Sequence, residues 1–284
     1  MTDFYTEENP AIELYLDLMK RTLTRTIAKD YSEPVTKLIP LIPGLLAAKV
    51  NGKLYRFLKS RNIEVVRKVP VDPEKRRAGK DWPREGETMI GLERLDNLQY
   101  CITDVIRTRV PGDFIETGVW RGGATIFMRA ALKAFGEENR TVWVADSFEG
   151  LPKPDAEKYP ADEHETLWVY DELRVSLEEV KENFRRYGLL DDRVKFLKGW
   201  FRDTLHAAPI ERLAILRLDG DMYESTTDAL NALYPKLSAG GYLIIDDYAL
   251  ENCRKAIHDY REKHGIMEEI VKVDWSGCYW QKLG

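Results

Sequence analysis

Along most of this chain, apolar positions alternate between two spacings. From Leu92 to Arg107 they recur at helical intervals, with Leu95, Leu98, Ile102 and Ile106 on one face. Short apolar runs and amphipathic stretches then take turns. Asp113 to Glu116 reads as a strand and Ala124 to Phe135 as a helix. Thr141 to Asp146 is a second strand, and Ser176 to about Tyr187 a helix that Gly188 stops. The SLEE sequence at Ser176, with Glu179 three residues on, has the form of a capping box. Val194 to Leu197, Leu213 to Asp219 and Gly241 to Asp246 complete a set of five strands. Ser225 to Tyr234 and Asn252 to His264 are the intervening helices. Glu269 to Val273 and Cys278 to Gln281 are weaker strand candidates in the tail. Such alternation predicts a mostly parallel sheet with helices on both faces.

The first third reads differently. A helical stretch with Ile12, Leu14, Leu16 and Met19 as apolar positions is followed by Leu38 to Val50, an apolar segment holding two prolines. That segment is shorter than the roughly 20 residues needed to span a bilayer, so it reads as a packed or lid segment. Lys68 to Glu87 is rich in proline and charge and reads as a linker or surface loop. The expected organisation is an N-terminal, mainly helical lid segment with its linker over 1–87, and a catalytic domain over 88–284.

Composition narrows the function classes. A net charge of −5 across 284 residues argues against nucleic-acid binding, which needs a basic surface. The N-terminus lacks the basic and apolar regions of a signal peptide. Cys101, Cys253 and Cys278 are far apart and odd in number, which suits free thiols in a reducing cytoplasm rather than disulfides or zinc. The expectation is a cytoplasmic protein without membrane partners. His164, His206, His258 and His264 show no metal spacing.

The chemistry gathers where the strands end, which in open α/β sheets is where ligands bind. Glu116 closes the first strand and runs into Gly118, Arg121, Gly122 and Gly123, a spacing that is not the dinucleotide fingerprint. A carboxylate before this turn would repel a pyrophosphate. It suits a cationic ligand with an amino group, such as S-adenosylmethionine. Asp146 closes the second strand and can accept hydrogen bonds from ribose hydroxyls, a device shared by nicotinamide and adenosylmethionine sites; a helix cap is the alternative. Asp219, Asp246 and Asp247 close the fourth and fifth strands. Three buried carboxylates together call for a hard cation with oxygen ligands, namely magnesium, manganese or calcium, unless some of them cap helices. Asp221, beyond Gly220, is a candidate general base, with helix capping again the alternative. The long charged loop from Leu151 to Asp171 is a candidate functional loop.

Together, ETGVWRGG, WVADSFEGLP, LDGDMYEST and IIDDY resemble the macrocin O-methyltransferase family from about Thr88 to Trp280. The resemblance implies a Rossmann-like class I methyltransferase fold with a seven-stranded sheet, and methyl transfer from S-adenosylmethionine to a sugar hydroxyl of a macrolide or aminocoumarin. By the same resemblance, the turn from Glu116 to Gly123, with Gly118, Arg121 and Gly122, cradles the methionine end of the cofactor. Asp146 and Ser147 hold the ribose. Gly199, Trp200 and Phe201 lie along the adenine, and Met89 and Ile90 close over the cofactor. Ser176 and Asp219 add contacts, Asp219, Asp246 and Asp247 hold Mg2+ or Mn2+, and Asp221 is the base. The implied partners are a small-molecule glycoside acceptor and further copies of the chain, as a homodimer or larger homo-oligomer. A catechol-type O-methyltransferase and a non-catalytic adenosine-ligand binding protein remain the alternatives.

Overall fold

The computed structural model describes residues 9–28, 30–34, 56–58, 60–63 and 66–284. The proline-containing segment from Leu38 to Val50 lies outside the described residues. Five parallel strands form the centre of the sheet: β3 (Asp113–Thr117), β4 (Val142–Asp146), β5 (Val194–Lys198), β6 (Leu213–Leu218) and β7 (Leu237–Ile245). Two short strands, β8 (Val271–Lys272) and β9 (Cys278–Gln281), extend it antiparallel, giving the order β5-β4-β3-β6-β7-β9-β8. This is the expected Rossmann-like, mostly parallel seven-stranded sheet.

Side chains alternate between the two faces of β3, β4 and the end of β7, and both faces carry helices. Phe114, Val142, Val144, Tyr242 and Ile244 enter one apolar cluster, while Ile115, Trp143, Ala145, Leu243 and Ile245 enter the other. On the first face lie α1 (Pro10–Leu23), α3 (Leu92–Arg107), α4 (Gly123–Ala134) and α5 (Leu177–Arg186). On the second lie α7 (Tyr223–Leu233) and α8 (Glu251–His264). The short α6 (Phe201–Thr204) follows β5. The chain leaves β3 toward β4 on one side and returns to β6 on the other, so β3 and β6 form the topological switch point at which a crevice opens.

Two expectations are corrected here. Leu14 does not belong to the buried face of α1; it is exposed, while Leu16, Met19 and Leu23 enter the same apolar cluster as α3 and α4. The stretch from Lys68 to Glu87 is not a featureless linker. It contains most of β2 (Val66–Pro70), which pairs antiparallel with β1 (Asp30–Pro34), and α2 (Pro73–Arg77). Asp72 caps α2 through the amides of Glu74 and Lys75. From α2, buried Arg76 donates to the carbonyls of Met89 (2.6 Å) and Ile90 (3.0 Å) and so fixes the approach to α3. Charge misleads at Arg76, which is buried because its guanidinium is spent on these carbonyls and on Asp81 at 3.1 Å. Among the described residues, no helix is long and apolar enough to cross a membrane.

Candidate active site

A cavity of about 590 Å3 opens at the carboxyl ends of β3, β4, β6 and β7, within the usual size range of small-molecule sites. Its wall includes Met89, Ile90, Glu116, Gly118, Asp146, Ser147, Gly199, Trp200, Phe201, Asp219, Asp221, Asp246 and Asp247. Residues spread over 159 positions of sequence thus meet because each lies just after, or at the end of, a strand, or on the segment that closes over them.

Four expected contacts are not on that wall. Arg121 donates to the carbonyls of Pro83 (3.1 Å), Arg84 (2.7 Å) and Gly86 (2.9 Å), and its guanidinium lies over the Trp120 ring. It holds the neighbouring segment rather than facing the cavity. The Gly122 N–H goes to the Val119 carbonyl and the Gly123 N–H to the Glu87 carbonyl, so these amides shape the turn. Ser176 is occupied as the cap of α5, accepting from the Glu179 amide at 3.2 Å.

Gly118 is the tight point of the crevice. Its φ is +84°, and a Cβ there would lie 1.6 Å from the Asp219 carbonyl oxygen. Gly118→Ala is expected to push the β3 and β6 loops apart and to destabilise the fold by more than about 2 kcal/mol. A thermal melt coincident with that of the parent protein would show that this approach is dispensable.

Glu116 is buried. Its Oε1 accepts from Arg217, but its Oε2 has no hydrogen-bond partner. Burial, together with Asp219 and Asp246, pushes its carboxyl up to about 8 against the pull of Arg217. An unsatisfied carboxylate oxygen on a cavity wall is a ready acceptor for an ammonium. Asp146 is braced differently: Oδ2 accepts from the Val119 amide (2.8 Å) and Oδ1 from the Phe148 amide (2.7 Å). It thereby ties the β3 loop to the β4 loop and keeps spare lone pairs toward the cavity.

Asp219, Asp246 and Asp247 each present an oxygen within 4.8 Å of the others, an all-oxygen set suited to a hard divalent cation. Their mutual repulsion is visible in the carboxyls. Burial and Asp246 raise Asp219 to about 6, while burial, Asp221 and Asp219 push Asp247 well above the usual range. Asp221 is likewise raised by burial, then by Asp219 and Glu165. A cation among them would relieve all three.

Two arginines partly do so already, and the sequence reading missed both. Arg217, inside β6 and 1% exposed, bonds Glu116, Asp246 and, at 2.7 Å, Asp219. Arg94 on α3 bonds the other oxygen of Asp246 and reaches Asp274 at 3.0 Å. The available signal was a lone arginine in LAILRLD: a central parallel strand is buried on both faces, so a charge inside it must have partners.

Asp221 is not a helix cap. Its φ is +59° and its amide donates to Asp247 at 3.0 Å. The first amides of α7, from Tyr223 and Glu224, go instead to Asp162 at 2.8 and 3.0 Å. Asp162, buried in the loop from Leu151 to Asp171, also accepts from Asn252 of α8 at 3.1 Å. That loop is therefore latched over the site, and the Asp221 carboxylate is left for other work.

The chain matches a sequence model described as Macrocin-O-methyltransferase (TylF) over residues 12–282. It is 49% identical over 272 residues to the 8-demethyl-8-(2,3-dimethoxy-alpha-L-rhamnosyl)-tetracenomycin-C 4'-O-methyltransferase of Streptomyces olivaceus, covering 95% of this chain and 93% of that one. It is 47% identical over 274 residues to the mycinamicin III 3''-O-methyltransferase of Micromonospora griseorubida, covering 95% and 97%. The solved structure of the O-methyltransferase NovP superposes with a TM-score of 0.82 at 44% identity, covering 96% of this chain and 100% of that one.

Proposed function

The chain belongs to the macrocin-O-methyltransferase (TylF) family and is an O-methyltransferase; from that premise we propose that it moves the methyl group of S-adenosylmethionine to a sugar hydroxyl of a glycosylated natural product, assisted by magnesium or manganese. The observation that carries the donor is Glu116 Oε2, a buried oxygen on the cavity wall with no partner of its own. The observation that carries the metal is the convergence of Asp219, Asp246 and Asp247, with the Asp219 and Asp247 carboxyls raised by burial and by their acidic neighbours. The sugar acceptor is supported by relatives whose names specify hydroxyls of glycosylated tetracenomycin and mycinamicin. The reading keeps 88–284 as the methyltransferase domain and 1–87 as its lid segment.

In this reading Glu116 holds the amino group of the donor. Asp146 offers its spare lone pairs to the ribose, Gly118 lets the backbone approach, and Trp200 and Phe201 flank the base. The bound sulfonium supplies the methyl group, and a divalent cation supplies a Lewis acid that orients the acceptor hydroxyl. Asp219, Asp246 and Asp247 would hold the cation, Glu116 the donor's amino group, and Asp221 would take the proton of the acceptor hydroxyl as the methyl group is transferred. Burial and neighbouring acids make Asp221 a stronger base than an ordinary aspartate. The latched loop and Met89–Ile90 segment keep water from the methyl group. Positioning two bound reactants in one cavity contributes roughly 7–11 kcal/mol toward the barrier.

Calorimetric titration with S-adenosylhomocysteine, first with magnesium and then with EDTA, tests the donor. Micromolar or tighter binding is expected in both, about tenfold weaker for Glu116→Gln, which loses a charge-assisted bond. Absence of binding in either condition removes the donor assignment. Turnover on deoxysugar glycosides but not on catechols, lost with EDTA, is the expected acceptor result.

A further inference from the structure

The acid cluster accounts for the polar floor of the cavity but not for its lip. Trp82 and Trp275 both line the cavity while remaining 49% and 47% exposed. Two large aromatic rings left half in water at the edge of a site are costly unless something covers them.

Neither ring is loosely held. The Trp275 indole N–H donates to the Ala78 carbonyl at 2.8 Å, and the Arg94 guanidinium lies 5.6 Å from its ring centre. Trp82 packs edge-on against Tyr170 of the latched loop at 5.3 Å. Ala78 and Trp82 belong to one short segment, whose residues from Gly79 to Trp82 all line the cavity, so the two rings share one wall. That wall is braced to the acids. Arg94 bonds Asp246, and Ser276, next to Trp275, donates to the Asp246 carbonyl at 2.7 Å. Leu250, three residues past Asp247, and Leu167 of the latched loop add apolar surface to the same cavity.

Building on the glycoside reading above, we propose that Trp82 and Trp275 form an aglycone subsite, on which an apolar, ring-bearing aglycone lies while its sugar reaches the acids. The aglycone ring, and not the sugar alone, is then part of what the site recognises. Pre-fixed rings bind such a ligand at little entropic cost.

The test compares a 4-methylumbelliferyl deoxysugar glycoside, the methyl glycoside of the same sugar, and the corresponding nucleotide sugar. Trp82→Ala and Trp275→Ala are expected to raise KM for the umbelliferyl glycoside by about tenfold or more, with kcat changed less than about threefold. KM for the methyl glycoside and the affinity for S-adenosylhomocysteine stay unchanged. Trp275→Phe, which keeps a ring, restores most of the loss. An equal loss on both glycosides would assign the tryptophans to bracing the acids, and no loss on either would take the wall out of recognition. Wild-type preference for the nucleotide sugar also overturns the proposal. A wild type that binds S-adenosylhomocysteine but methylates no glycoside defeats the acceptor reading itself.

Discussion

Asp221→Asn is expected to bind S-adenosylhomocysteine as the parent does and to turn over about 10^2- to 10^4-fold more slowly, the usual contribution of a positioned base. The geometry isolates this effect. The Asp221 backbone, held left-handed at φ +59°, makes its structural contact through the amide to Asp247, which asparagine retains. The helix that follows is capped by Asp162, so replacing the carboxylate costs no cap. Asparagine is isosteric but accepts no proton at neutral pH. A normal melting temperature and normal cofactor affinity with slowed turnover would identify the base. Turnover within about threefold of the parent would be too small a change for a lost base and would pass that role to another oxygen of the cluster.

Arg217→Met carries the largest stability effect. The guanidinium is fully enclosed and is the one group bonded at once to Glu116, Asp219 and Asp246 among the described residues. Removing one side of a buried ion network leaves uncompensated charge and costs about 3–5 kcal/mol. Part of the response would be proton uptake by the carboxylates. Burial already pushes Glu116 up to about 8, and without Arg217 it rises further. The sign follows from linkage. A carboxyl raised in the folded state makes folding less stable as pH rises from its unfolded value up to its folded value, and lifting Glu116 beyond about 8 extends that loss through pH 8. Arg217→Met should therefore lose more stability at pH 8 than at pH 6, measured by denaturant unfolding at both. Glu116→Gln on top of Arg217→Met should recover some of the loss, because the two groups are in direct contact. A loss below about 1 kcal/mol, equal at both pH values, would mean that the carboxylates are satisfied without this arginine.

The elements legible in the sequence were those whose pattern is local. Leu92–Arg107 forms a helix with the predicted bounds because its apolar face repeats at helical spacing, and Cys278–Gln281 forms the predicted strand. The five parallel strands were legible because each holds a short apolar run between turn signals, although the edge strand β5 carries exposed Lys195 and Lys198. Strand β2 and helix α2 were not, since Val66–Pro70 and Pro73–Arg77 are stabilised by partners distant in sequence rather than by an apolar period.

The site divides along the same line. The sequence by itself determined the fold class and the identity of the acids at the strand ends, because an acid after an apolar strand is conspicuous and the sheet topology dictates where strand ends meet. Only the tertiary structure decided which of those acids are already paired, since Arg94 and Arg217 reach them across 152 and 101 positions. It alone showed that Arg121 and Ser176 are spent on backbone groups, that Asp162 caps a helix 61 residues away, and that Trp82 and Trp275 share one wall. The reason is physical: hydrogen bonds and burial are settled by what the folded chain brings within about 3 Å, and local sequence pattern carries no record of those distances.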